Sequence, residues 1–251
     1  YVMNITDVDD KTIKRSQEKQ VSLKEYTTNF FKEFVKDISS LGIKKPTKLV
    51  FATDNIEEML ALVKRLLKKG IAYKSDDGSI YYSIKKFPNY GELSKLKISK
   101  LKMGARVNSD EYEKESVSDF VLWKAWQPTD GDVFWESKFG KGRPGWHLEC
   151  SAMSMKFLGE TFDIHGGGID LIFPHHENEI AQSTGATGKK FVNHWIHFAH
   201  LIVDGKKMSK SLGNFFTLRD LKEFEPRAVR YVFLLAHYRD KLNFSFESLK
   251  Q

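Results

Sequence analysis

The stretch Phe162-Asp163-Ile164-His165-Gly166-Gly167-Gly168-Ile169-Asp170-Leu171-Ile172-Phe173-Pro174-His175-His176-Glu177-Asn178-Glu179 decides how this chain is read. Its pattern is a strand, a glycine turn and then a helix. Gly166, Gly167 and Gly168 let the backbone come close to a ligand, Asp170 follows where it can bond a polar ligand group, and Pro174 suits a first helical turn. On that helix His175 and Glu179 stand four residues apart and share one face. An imidazole and a carboxylate on one face can hold a divalent metal. Taken alone, the stretch describes equally well a glycine turn before a charged surface helix.

Working outward, the helical stripe Trp146, Cys150, Met153 and Phe157 precedes it. Cys150 is the only cysteine, so no disulfide forms within the chain, which fits a reducing cytoplasm. It lies 25 residues before His175 and must be brought in by the fold. Thiolate, imidazole and carboxylate together suit zinc, and three ligands with a vacant position would mark a catalytic site. A lone cysteine in an apolar stripe is also what a buried core thiol looks like. On the other side, 191–203 reads as a strand, and a turn at Asp204-Gly205 leads to Lys207-Met208-Ser209-Lys210-Ser211. Two lysines and two hydroxyls after a glycine turn make a cationic loop that can neutralise charge on a leaving pyrophosphate, or a solvated basic turn.

The rest of the chain supplies a scaffold. Residues 1–5 read as a short strand, with Thr6 or Asp7 capping a helix through Lys11, Ile13 and Ser16. Helical periodicity covers 23–38, and Asn55 heads a third helix over 56–69, ended by Gly70. From Ile71 the pattern changes to strands at 80–84 and 120–126, joined by a lysine-rich stretch through Lys95, Lys97, Lys100, Lys102 and Arg106. Helices over 218–223 and 226–238 close the sequence. The 251 residues suffice for one large domain or two ordinary ones. The formal net charge of +7 favours a polyanionic partner. No apolar run approaches the roughly 18 residues that span a bilayer, and residues 1–7 carry no basic or apolar leader.

Lys207 to Ser211 is identical to the KMSKS signature of class I aminoacyl-tRNA synthetases. The runs from Gly145 to Met153, Asp163 to Leu171 and Phe173 to Glu179, with the opening Asn4-Ile5-Thr6-Asp7-Val8-Asp9-Asp10-Lys11, closely resemble the cysteinyl-tRNA synthetase family, in order along essentially the whole chain. The resemblance implies an α/β, Rossmann-like nucleotide-binding fold with a β-rich connective insertion and C-terminal helices. Its parts are 1–70, the first part of the catalytic domain; 71–142, the insertion; 143–205, the second part; and 206–251, the KMSKS loop and following helices. It further implies one Zn²⁺ per chain on Cys150, His175 and Glu179, three of the family's four zinc ligands. Trp146 then packs near the substrate thiol, Gly168 and Asp170 hold ATP, and Lys207 and Lys210 are both ATP-binding and catalytic. Substrates are cysteine, ATP with Mg²⁺ and cysteine tRNA, with no membrane and a cytoplasmic location. Lys138, Lys141 and Arg143 become candidates for contact with the tRNA acceptor arm.

The departures set further expectations. The family's His-Ile-Gly-His signature and second zinc-binding cysteine are absent, as is its anticodon-binding domain. The chain therefore reads as a catalytic core cut at both ends, weak or inactive alone. A cysteine ligase with an amino-sugar acceptor resembles the same family, and a zinc-free basic RNA-binding fragment is the reading without catalysis.

Overall fold

The computed structural model describes residues 1–95, 106–107 and 119–249. They form two compact units, the first from Tyr1–Thr28, Pro46–His165 and Leu171–His194, the second from Asn29–Lys45, Gly166–Asp170 and Trp195–Gln251. Among the described residues no helix is long and apolar enough to cross a membrane. Lys97, Lys100 and Lys102 of the lysine-rich stretch lie outside the described residues.

In the first unit β1 (Val2–Ile5) pairs in parallel with β2 (Lys48–Phe51). Between them in sequence come α1 (Asp10–Glu18) and α2 (Leu23–Ser40), whose residues from Asn29 on belong to the second unit. Helix α1 is headed by Asp9, whose side chain accepts from Thr12 N–H at 2.5 Å while Thr12 Oγ1 accepts from Asp9 N–H at 2.9 Å. The cap is thus neither Thr6 nor Asp7. Asp7 is buried and accepts from the N–H and hydroxyl of Thr53, and burial raises its carboxyl above the usual range. Helix α3 (Ile56–Lys68) starts after Asn55, as expected, but Asn55 does not cap it by side chain. Its amide donates to Phe51 O at 2.7 Å and accepts from Lys156 Nζ at 2.8 Å.

From Ala72 the described residues are rich in strands. Strands β3 (Ala72–Lys74), β4 (Ile80–Tyr82), β5 (Arg106–Val107), β6 (Asp119–Ala125) and β7 (Gly142–Pro144) make one five-stranded sheet, with β6 paired to β4, β5 and β7. Then come α4 (Trp146–Leu158), β8 (Phe162–Gly168), α5 (Glu177–Thr187) and β9 (Val192–Phe198), which pairs with β8. Met59, Val63 and Leu66 of α3 bury against Leu148 and Ala152 of α4 and Ala181 of α5, together with Tyr82 and Leu122 of the sheet. Apolar burial of this kind stabilises by about 25 cal/mol per Å². It fixes α4 and α5 side by side.

Arg143 departs from its sequence expectation. Its side chain is only 4% exposed. It pairs with Asp10, which Lys124 Nζ also meets at 2.8 Å, and its Nε lies 3.3 Å from Asp130. A buried guanidinium committed to two carboxylates is not available to a phosphate. Lys138 and Lys141 remain exposed, Lys141 within 3.4 Å of Glu136. Removing the guanidinium leaves Asp130, 11% exposed, without its cation, while Asp10, 39% exposed, keeps Lys124, so the cost falls below the about 3–5 kcal/mol of a pair buried on both sides. Arg143→Gln is expected to lose stability by about 1–3 kcal/mol in urea unfolding, with no change in the salt dependence of tRNA binding per folded molecule.

The second unit holds a three-stranded sheet, β11 (Lys206–Lys207) and β12 (Leu242–Phe244) on either side of β10 (Leu201–Val203), and helix α6 (Pro226–Leu234). The strand read over 191–203 is therefore broken into β9 and β10. Val203, Leu221, Val229, Val232, Phe244 and Leu249 form the core of this unit.

Candidate metal and nucleotide sites

The start of α4 is held against the sheet by Gly145. A Cβ there would lie 2.3 Å from Val121 O, so only glycine permits the approach. Trp146, His147 and Cys150 follow in the first turns of α4, Trp146 and His147 against His175. The segment 172–176 ahead of α5 is not regular α-helix, since Phe173 is extended at φ −136° and ψ 132°. Helix α5 therefore begins at Glu177, later than Pro174 suggested. His175 and Glu179 nevertheless meet, with Nε2 of His175 at 3.1 Å from Oε1 of Glu179.

The structure brings Cys150, His175 and Glu179 together. Their candidate ligand atoms all lie within 4.8 Å of one another, and all three residues are buried. Around them stand Trp146 and further groups to which the sequence assigns no role in the site. His147 Nδ1 lies 2.8 Å from His175 Nδ1, and His165 Nε2 lies 2.8 Å from Glu179 Oε2. Asn4 Nδ2 donates to Cys150 Sγ at 3.5 Å, and the Trp146 ring packs on His175 with centroids 4.3 Å apart. His165 and His176 form a second donor group with Glu179. The spacing of His147 and Cys150, three apart at the head of one helix, was the available signal for His147.

Electrostatics follow from burial. Desolvation pushes the Cys150 thiol well up, and the nearby Glu179 and Glu149 carboxyls push it further. Burial alone would raise Glu179 as well, but the charges of His165 and His175 outweigh it and hold the carboxyl well below its usual range. Burial and His175 push His147 well down, so its ring is neutral near pH 7. His165 goes the other way: burial opposes its charge, yet Glu179 attracts it enough to raise it.

This donor set fits a divalent cation. Oε1 of Glu179 is buried and has no hydrogen-bond partner, with His175 Nε2 3.1 Å away. A buried carboxylate oxygen left so costs free energy, and a cation beside it and the thiol would remove that cost. It would also favour the thiolate, which burial otherwise opposes. A sulfur, an imidazole and a carboxylate oxygen match the ligands that zinc takes.

The nucleotide candidates lie in the second unit. Gly168 ends β8, and Asp170 follows in a helical turn. A Cβ on Gly168 would come within 2.4 Å of Asp170 Oδ1, so glycine gives that carboxylate its place. Lys207 ends β11 and Lys210 follows in the next turn; both are exposed.

The family described as "tRNA synthetases class I (C) catalytic domain" matches residues 1–251. The cysteine–tRNA ligase of Brachyspira hyodysenteriae is 59% identical over 254 aligned residues, covering 100% of this chain and 53% of that protein. That of Chlamydia pneumoniae is 54% identical, with 99% and 53% covered. The chain thus spans about half the length of the curated relatives it matches. Among solved structures, Mycobacterium tuberculosis methionyl-tRNA synthetase in complex with methionyl-adenylate superposes with a TM-score of 0.74 at 14% identity, over 99% of this chain and 59% of that one. At that identity the likeness shows the fold alone, the α/β fold of a class I synthetase. With the whole chain matched, it belongs to the class I (C) tRNA synthetase catalytic-domain family.

Proposed function

We propose that the protein is a cysteine–tRNA ligase that activates cysteine with ATP and charges tRNA. The observation that carries this reading is the buried convergence of Cys150, His175 and Glu179 within 4.8 Å, with Trp146 packed against it. The names of the relatives agree with it. Residues 1–70 and 143–205 are assigned to the nucleotide-binding fold, 71–142 to the insertion, and 206–251 to the lysine loop and the helices after it.

In the first step the carboxylate of cysteine attacks the α-phosphorus of ATP, and pyrophosphate leaves with its charge. Lys207 and Lys210 stabilise that charge as it develops, with Mg²⁺ accompanying ATP. Gly168 and Asp170 hold the nucleotide. In the second step a ribose hydroxyl of the terminal adenosine of tRNA attacks the cysteinyl carbonyl, and AMP leaves. Cys150, His175 and Glu179 hold one zinc per chain, whose chemistry is to bind sulfur as thiolate and so prefer cysteine to serine. His147 and His165 orient the ring of His175 and the carboxylate of Glu179 from outside. Trp146 lines the thiol pocket. The free, buried Cys150 fits a reducing cytoplasm.

The test is charging by the full-length protein. A cysteine-tRNA transcript is expected to accept labelled cysteine. Transfer to a small amino-sugar and not to the transcript would replace tRNA as acceptor.

A further inference from the structure

The loop carrying the two lysines is built around one side chain. Oδ1 of Asn214 accepts from the backbone N–H of Ser209 at 2.9 Å, and its Nδ2 donates to the carbonyl of Lys207 at 3.0 Å. These two bonds bracket Met208. The side chain of Met208 lines an apolar cavity of about 100 Å³ with Leu201, Phe216, Val229 and Phe244. Within the loop, Ser209 Oγ accepts from Leu212 N–H at 3.3 Å and lies 3.3 Å from Ser211 Oγ. Lys210 is exposed, its Nζ 5.4 Å from the centroid of the Phe215 ring.

Fixing a loop costs about 1–2 kcal/mol of backbone entropy per residue, and exposed serines and lysines bury too little to offset it. Two tethers do so here. Met208 anchors the turn below by apolar contact, and the carboxamide of Asn214 closes it above. Only a group with a donor and an acceptor side by side can make both bonds. Alanine has neither, and aspartate would set a carboxylate against the Lys207 carbonyl.

We propose that Asn214 is a positioning residue for the lysine loop: its carboxamide, bonded to the backbone on both sides of Met208, sets where Lys207 and Lys210 are held. This rests on the role given to those lysines above. Asn214 touches no reacting atom and acts through them. The chemistry predicts a split between rate and binding. A misplaced lysine loses charge stabilisation in the transition state, while ground-state ATP affinity is little changed.

The experiment uses the full-length protein and two variants, Asn214→Ala and the isosteric Asn214→Asp. Limited trypsin digestion is expected to cut after Lys207 and Lys210 at least about fivefold faster in both variants, because proteolysis follows local opening. Single-turnover adenylate formation with cysteine is expected to fall on the order of 10²-fold, the usual cost of a misplacement near 1 Å. The ATP KM should move less than roughly threefold. In a Lys207→Ala/Lys210→Ala background, Asn214→Ala should add almost nothing, since it acts through those two side chains. The proposal is overturned if trypsin cuts both variants at the wild-type rate. It is equally overturned if an active wild type and Asn214→Ala form adenylate equally fast, or if the two losses multiply. A wild type without cysteine-dependent adenylate formation would instead sink the function proposed above, and the digestion rates alone would then decide for or against the tether.

Discussion

Replacing Cys150 with serine is expected to remove zinc and cysteine activation together. The substitution keeps the shape of a buried side chain and changes only the donor atom. Sulfur as thiolate is a soft ligand, and a serine hydroxyl would have to give up a far less acidic proton to bind the same ion. The groups left behind, His175 and Glu179, 3.1 Å apart, are then two donors rather than three. Loss of an outer-shell partner already costs 10- to 100-fold in metal affinity or activity, so loss of a ligand should cost at least about 10²-fold in kcat/KM for cysteine. Elemental analysis and ATP–pyrophosphate exchange on the same preparations check both halves. Stoichiometric zinc in the variant would remove Cys150 from the ligand set. The sign of the pH dependence also follows. Burial holds the thiol protonated well above its usual range, so protons compete with the metal. Zinc affinity should rise as pH rises until the thiol has titrated.

The second large effect is expected from Lys210→Ala. Lys210 is exposed, with no carboxylate within ion-pair distance among the described residues, so the change should leave stability within about 0.5 kcal/mol, as surface substitutions usually do. Its work falls where charge builds on the leaving pyrophosphate. Removing one preorganised group of that kind costs about 10²–10³ in rate. The rate and kcat/KM for ATP should drop by the same factor, the mark of an interaction made only in the transition state. Rapid-quench measurement of adenylate formation checks this. An unchanged rate would take Lys210 out of the chemistry.

The elements that could be read from sequence are those with long periodic patterns. Helix α2 fell where its apolar spacing put it, and so did strand β6 with its run of Phe120, Val121, Leu122 and Trp123. What could not be read was decided by contacts across the fold. Asp9 caps α1 because Asp7 is claimed by Thr53, 46 residues away. Asn55 bonds Phe51 O and Lys156 instead of its own helix. Arg143 sits in a glycine-rich, basic run that resembles a surface, yet Asp10 and Asp130 draw it inside. The candidate site divides in the same way. Cys150, His175 and Glu179 were legible through a resemblance and a helical spacing. The histidines around them were not, since His165 reaches Glu179 and His147 reaches His175 only once α4, β8 and α5 have packed.

The central claim is that sulfur held at a metal selects the substrate. Its most direct test is ATP–pyrophosphate exchange by the full-length protein with cysteine and with serine, before and after zinc is stripped by a chelator and restored. Exchange should depend on cysteine, stay near background with serine, fall at least about 10²-fold on stripping and return with zinc but not with magnesium. Full cysteine-dependent exchange by zinc-free protein, or equal exchange with serine, would contradict it.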